Sequence, residues 1–493
     1  MKTKLLPVVI FALMSFLSIA QDIEKASECS KYYNAEPISP MAGTHVTATF
    51  HTRFAGVQEA TVYRVGGVYY LEDNTPDRVP IRVWNARGND VGLFAERSRL
   101  GDLRHSIRNN TNVWRYTDPS HGMGLDVFWV LQQIRNRLDS ILSPYWILPF
   151  WGKTIEAFVE NGGQFVDGAF WEPREWVMAF GRGRIHLPVA SVDVVAHELG
   201  HTIAQFYISS LSPHHPSSGC IWLGAYPYVE GLADIFGVIM TYQLAPEQDP
   251  WRNGNMFVRG NHTSIRNIRN PNDDTAEDPI ACTFGNDRYF SAGFHARGGV
   301  FTRWFYNLVN GGGGVNGIGN SYSVRGIGMD RAERLIVHAV FVPTPDADSP
   351  DSRYLNRVRC DCERCPVKSE NGVFWHSIRK ELINVSESVY DINNAELKAA
   401  VTNAWHAVGV GGRYLFVVDN PINHSQTIRR YGNIILRNVT IAGNVELTVS
   451  TIESIYLYNV TIQNGARLIL SAGSDIIIDG YIDVHLGAEF EMR

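Results

Sequence analysis

The chain is poor in charge and poor in cysteine. Charged residues are 19% of its 493 positions, with 44 basic against 50 acidic side chains and a formal net charge of −6. So sparse and balanced a charge excludes a basic nucleic-acid binder and a disordered polyelectrolyte. Six cysteines in this length exclude a disulfide-dense scaffold. Beyond the N-terminus no apolar run is long enough to cross a bilayer, so no transmembrane segment is expected. What the chain does have is apolar side chain, 45% of its residues, enough for more than one sizeable core.

The N-terminus reads as an export signal. Met1-Lys2-Thr3-Lys4 is a short basic start, Leu5 to Ile19 is almost continuously apolar, and Ser18-Ile19-Ala20 is a small-x-small cleavage site before Gln21. The run is short for a span and Pro7 interrupts it. The expectation is a signal peptide over 1–20 and a mature protein that is secreted or held at the cell surface. Export permits disulfides, and the even set Cys29, Cys220, Cys282, Cys360, Cys362 and Cys365 suits pairing, with connectivity open. A thiolate metal site at Cys360-Asp361-Cys362-Glu363-Arg364-Cys365 is disfavoured for want of a nearby fourth ligand.

Polar and apolar residues alternate over 40–115, and Thr44–His51, Ala60–Val65 and Val68–Leu71 read as strands. From Asp126 the period lengthens. Val127, Phe128, Leu131, Ile134, Leu138 and Ile141 mark a long amphipathic helix. Residues 191–340 are largely helical between Pro-, Gly- and Asn-rich loops, and Leu397–Val408 is a last helix. After Arg413 the texture changes. Asn438-Val439-Thr440-Ile441 recurs 21 residues on as Asn459-Val460-Thr461-Ile462, which suggests stacked β-coils or a small β-sandwich. The chain therefore divides into the signal, a short lead over 21–39, a β-rich part over 40–195, a mainly helical part over 196–411 and a β-strand repeat appendage over 413–493. The appendage holds no catalytic constellation and is expected to serve secretion, attachment or spacing.

Chemistry begins at His197-Glu198-Leu199-Gly200-His201. On a helix, positions i and i+4 share a face, so both imidazoles can reach one metal ion. Glu198 stands beside them, able to deprotonate a water without itself being a ligand. A tetrahedral catalytic zinc needs a third protein ligand. The HExxHxxGxxH pattern fails, because Ala204 and Tyr207 replace the glycine and third histidine. A second apolar-faced helix carries Glu230 and Asp234 one turn apart. Glu230 would complete the site, and Asp234 would accept a hydrogen bond from a ligand imidazole. His214 and His215 are rival third ligands in a Pro- and Ser-rich loop.

These segments resemble the thermolysin-like zinc metalloendopeptidases, a gluzincin family. The match rests on Asp193–His201 and on Glu230-x3-Asp234-Ile235-Phe236-Gly237. Tyr70-Leu71-Glu72-Asp73-Asn74-Thr75, Gly168-Ala169-Phe170-Trp171, Gly326–Glu333 and Ala404–Val410 resemble further segments of the family in the same order. The resemblance implies an α+β fold: a two-lobed unit, β-rich then mainly helical, with zinc in the cleft between and the small all-β domain appended. It also implies roles that spacing does not reveal. His295 would stabilise the developing oxyanion, Arg266 would contact a substrate carbonyl, and Ala169 and Phe170 would lie on the strand that pairs with substrate. Val194 and Ile265 would line an apolar pocket for the side chain after the scissile bond. The implied activity is hydrolysis of proteins or peptides on the amino side of apolar residues, by zinc-bound water that Glu198 activates.

Several positions depart from the family. No tyrosine falls at the usual oxyanion-assisting position, where Tyr226 or Tyr228 could substitute. Gly168 replaces an asparagine that holds substrate backbone. Asp287 is the nearest acid for orienting His295. Thr241, Arg252 and Asn255 stand where calcium-binding acids belong, so a calcium ion is possible but doubtful. Matching sequence begins near residue 40, leaving no room for the family's long propeptide. Two other readings compete: a non-catalytic surface or binding protein on a peptidase scaffold, and an exopeptidase, for which no terminus-capturing charged group is evident.

Overall fold

The computed structural model describes residues 43–92, 100–101, 103–118, 121–142, 153–172, 175–209, 219–341, 373–389, 395–411, 416–430, 434–451, 454–473 and 475–493. The signal segment, the lead with Cys29, and Cys360, Cys362 and Cys365 lie outside these residues, as do His214, His215 and the side chain of Cys220. Cys282 is a free thiol, so the expected pairing does not include it. No helix among the described residues is long and apolar enough to cross a membrane.

The β-rich part contains two sheets. In the first, strands Thr44–His51 and Val57–Val65 pair antiparallel along their length, with Ala48, Phe50, Ala60 and Val62 turned to the core. The second runs in the order Ala169–Glu172, Val177–Gly181, Ile155–Asn161, Ile81–Asn85, Glu72–Asp73, so Ala169–Glu172 is an edge strand. Helix α1 (Gly122–Leu142) packs both sheets through Val127, Phe128, Leu131, Ile134 and Leu138. A buried polar group ties them together as well. Asp73 pairs with Arg135 and accepts from Gln132 Nε2 (2.8 Å) and Thr75 Oγ1 (2.6 Å), while Arg135 Nη1 donates to the Val79 carbonyl (2.9 Å). Asp73 and Arg135 neutralise each other and make further hydrogen bonds, which is the condition for tolerating a buried pair. The Glu72-Asp73-Asn74-Thr75 signature thus has a structural reason.

The helical part contains α2 (Val192–Ser209), α3 (Gly219–Leu244), the short α4 (Asp287–Ser291) and α5 (Phe294–Arg297), α6 (Gly299–Asn310), α7 (Met329–Phe341), α8 (Val373–Val389) and α9 (Ala395–Ala407). Trp304 and Trp405 stack at 4.9 Å in its centre. Helix α7 is clamped to α1 by Glu333, which accepts from Arg137 Nε (2.9 Å) and Nη2 (2.7 Å) and from Gln243 Nε2 (3.2 Å). One continuous apolar core runs through both parts, from Ala48 to Val410.

The appendage is a stack of parallel coils rather than a hairpin sandwich. Strands Ile434–Ile441 and Ile455–Ile462 pair in parallel, Ile434 opposite Ile455, and Glu446–Thr451 pairs with Arg467–Ala472 in the same way on a second sheet. The recurring asparagine marks a corner. Asn438 (φ 55°) and Asn459 (φ 56°) are both left-handed, a conformation asparagine tolerates, and Asn459 Nδ2 donates to Asn438 Oδ1 at 3.1 Å. The coils enclose a separate core, which includes Leu436, Leu447, Leu457 and Leu468. The α+β architecture expected from the sequence, with its all-β addition, is the one observed.

Candidate metal centre

Helix α2 buries Val195, Ala196, Leu199 and Ile203, leaving His197 and His201 on the adjoining face. Helix α3 lies against it at backbone distance. A Cβ on Gly200 would fall 2.8 Å from Ala233 Cα, and one on Gly237 would fall 2.9 Å from the Asp193 carbonyl oxygen. Small residues at these two crossings let Glu230 and Asp234 reach across. The imidazole rings of His197 and His201 sit 4.6 Å apart, nearly perpendicular. One ligand atom from each of His197, His201 and Glu230 lies within 4.8 Å of the others. Among the described residues no other trio of His, Cys, Asp or Glu assembles in this way.

The donor set fits zinc. His197 Nδ1 lies 2.9 Å from Asp234 Oδ1, so its Nε2 is the atom that faces Glu230, at 3.5 Å from Oε2. His201 Nε2 stands 3.8 Å from Glu230 Oε1. Glu230 Oε2 is buried without a hydrogen-bond donor, as is Glu198 Oε2. Two nitrogens and a carboxylate, converging on a small space with an unsatisfied oxygen, are what a tetrahedral cation requires. A carboxylate behind one ligand imidazole is the usual outer support.

The electrostatics of the metal-free chain follow the same geometry. Burial alone would lower His197, but the hydrogen bond with Asp234 and the nearby Glu230 carboxylate outweigh it and raise the imidazole to about 10. His201 falls to about 4, because burial dominates and His197 adds its charge. Burial lifts Glu198 to about 7, against the pull of His197. Glu230 drops to about 2 despite burial, under the attraction of His201 and His197. Asp234 is held far below the carboxylate range, its burial outweighed by Arg266 and His197.

The other expected residues divide by position. Arg266 donates from Nε (2.9 Å) and Nη2 (2.7 Å) to Asp234, and its Nη1 lies 3.6 Å from Asp278. His295 joins the cluster, Nε2 3.4 Å from Glu230 Oε1, with its side chain 52% exposed. Val194 and Ile265 are both half-buried; Val194 follows Asp193, which accepts from Gly254 N (2.5 Å), and a Cβ on Gly254 would meet Ile265. Ala169 is half-buried on the edge strand. Phe170 is buried instead, its ring 4.7 Å from Phe165 in a satellite core, so it can offer a peptide only its backbone. Tyr228 is core, packed on Phe301, whereas Tyr226 is half-buried with its ring 4.8 Å from Phe294. Sequence reasoning did not anticipate Asp278. It sits in a loop with no periodicity, and no motif distinguishes it.

The region where calcium-binding acids were wanting is held by hydrogen bonds and an ion pair. Asp193 is buried and accepts from Ser191 Oγ (2.5 Å) and Gly254 N (2.5 Å), while Arg252 Nη2 turns to Asp273 (3.2 Å). Hydrogen-bond donors thus occupy both oxygens of Asp193.

Comparison with known proteins accords with this geometry. Residues 47–205 match the thermolysin metallopeptidase catalytic domain, and residues 228–351 match the alpha-helical domain of the same family. Neutral protease B of Bacillus subtilis (strain 168) is 22% identical over 291 residues, which is 56% of this chain and 46% of that protein. The chain thus spans about half the length of this curated relative. The two family matches run in chain order over more than half of the sequence, and the first contains both histidines of the cluster while the second contains its glutamate. The chain belongs to the thermolysin-like metallopeptidase family.

Proposed function

We propose that the protein is an exported zinc endopeptidase that cleaves proteins on the amino side of apolar residues. The observation that carries this reading is the convergence of His197, His201 and Glu230 beside a buried, unsatisfied Glu198. Bound by those three residues, zinc would supply a Lewis acid that polarises the scissile carbonyl and acidifies the attacking water. Glu198 takes the proton from that water and passes it to the leaving amine. Its carboxyl is buried beside the cluster with Oε2 unsatisfied, free to accept that proton and return it. Asp234 holds His197 through Nδ1, and Arg266 holds Asp234. His295 Nε2, on the open side of the cluster, donates to the carbonyl oxygen as it gains negative charge. The contact to a substrate carbonyl that the family resemblance gives Arg266 is proposed alongside its ion pair with Asp234.

A substrate main chain would extend the second sheet at the edge strand Ala169–Glu172. Val194 and Ile265, both half-buried, are assigned to a pocket for the side chain that follows the scissile bond, and their apolar character supports an apolar preference. Export rests on the N-terminal sequence, and the coiled appendage is assigned to secretion or surface attachment. The test is zinc content measured with cleavage of end-blocked and free-ended peptides, before and after chelation. Chelator-sensitive cleavage within blocked peptides is expected. A zinc-free, inactive preparation refutes the reading, and cleavage confined to free termini replaces it with an exopeptidase.

A further inference from the structure

A histidine that aims one ring nitrogen at a reacting atom is ordinarily held through the other, by a carboxylate or carbonyl. His295 has no such support. Among the described residues no hydrogen bond reaches its Nδ1, and its one polar contact is that of Nε2 with Glu230. Asp287 is exposed in α4, where its backbone carbonyl, not its carboxylate, is the group that accepts from Ser291.

Rings take the place of that acid. Phe294 lies with its centroid 4.5 Å from the His295 imidazole, inclined at 36°, and Tyr226 lies 4.8 Å from Phe294 at 37°. Tyr226 precedes Glu230 by one turn of α3, so the row of rings begins on the helix that carries the third ligand. The backbones beneath are fixed by close approach. A Cβ on Gly298 would stand 3.0 Å from Gly231 N and Pro227 O, and one on Gly231 would stand 2.8 Å from Gly298 O. The end of α5 is therefore seated in the turn of α3 between Tyr226 and Glu230. That seating sets where His295 sits but leaves its ring free to rotate, and at 52% exposure little else restrains it.

We infer that Tyr226 and Phe294 are positioning residues: their tilted stack holds the His295 imidazole with Nε2 toward the metal cluster, in place of an orienting carboxylate. Offset and tilted contacts between ring faces are a favoured aromatic geometry. The role of Nε2 rests on the peptidase reading, whereas the stack itself does not, so two measurements separate them.

The first is steady-state kinetics of the zinc-loaded full chain. Phe294→Ala should lower kcat about tenfold with KM little changed, the signature of a displaced group rather than lost binding. Phe294→Tyr should recover the activity, since it restores a ring. Tyr226→Ala should lower kcat severalfold and Tyr226→Phe should recover it, because the ring is what touches Phe294. In a His295→Ala background, Phe294→Ala should add nothing. Equal losses in both backgrounds, or no recovery by the ring-bearing variants, overturn the inference. The second measurement labels the histidine rings with carbon-13 and identifies the His295 resonance by its loss in His295→Ala. Ring current from Phe294 should displace that resonance, and Phe294→Leu should move it back. A resonance that does not move overturns the stack whatever the turnover. One that moves in a chain that cleaves nothing supports the stack and refutes the peptidase reading alone.

Discussion

Asp234 Oδ1 lies 2.9 Å from His197 Nδ1, and the same carboxylate receives two hydrogen bonds from Arg266. One buried acid thus joins an imidazole of the proposed metal trio to a cation, and each of the three is held in place by the others. Asp234→Asn keeps the shape but removes the charge that fixes His197 and offsets Arg266. Metal affinity should fall about 10–100-fold, as for other outer supports of ligand imidazoles. Competition with a coloured zinc chelator measures it, and an unchanged affinity would refute the role.

Glu198 separates chemistry from metal binding. It is 4% exposed, adjoins a ligand and has an unsatisfied Oε2, but it is not one of the three converging groups. Glu198→Gln should retain one zinc per chain while losing about a hundredfold to ten-thousandfold in turnover. Substantial turnover by a metal-loaded variant would assign the base elsewhere.

Spacing made half of this site legible. His197, Glu198, His201, Glu230 and Asp234 lie within single helical turns, so the 3.6-residue period places them before any tertiary contact is known. Arg266 and His295 lie in a two-residue strand and a four-residue helix, too short to show a period, and only family resemblance pointed to them. Phe170 shows the limit of a strand motif, because alternation does not say which face is core when both are covered. The 21-residue repeat announced the coiled appendage, but apolar periodicity cannot distinguish parallel coils from hairpins. The structure resolves the choice: Asn438 and Asn459 are both left-handed, and a corner that recurs in register stacks like on like.

Calcium should be dispensable. Arg252 faces Asp273, and the two oxygens of Asp193 are taken by a hydroxyl and a backbone N–H. Millimolar calcium, or a chelator selective for it over zinc, should leave Tm unchanged in thermal unfolding. Arg252→Ala should lower Tm, more at low salt than at high, because a partly exposed ion pair is screened. A rise of several degrees on adding calcium would overturn this account.

Asp126 gives the fold a pH dependence of its own. It is 3% exposed beneath the first sheet and accepts one hydrogen bond from Arg53 N at 2.8 Å. Burial, opposed by that hydrogen bond and by the Arg53 charge, raises its carboxyl to about 7. Between about pH 4 and pH 7 the native chain therefore keeps a proton that the unfolded chain releases. The native state binds more protons in that window, so this contribution to stability is complete below the ordinary carboxylate range and is lost as pH rises through 7. Asp126→Asn retains an acceptor for Arg53 and no longer titrates. It should match the wild type near pH 4 and exceed it at pH 8 by on the order of 2–4 kcal/mol. Urea unfolding across pH 4–8, in a Glu198→Gln background to prevent self-cleavage, measures the difference. A gap between the two chains that is constant with pH would mean that Asp126 does not titrate in the folded protein.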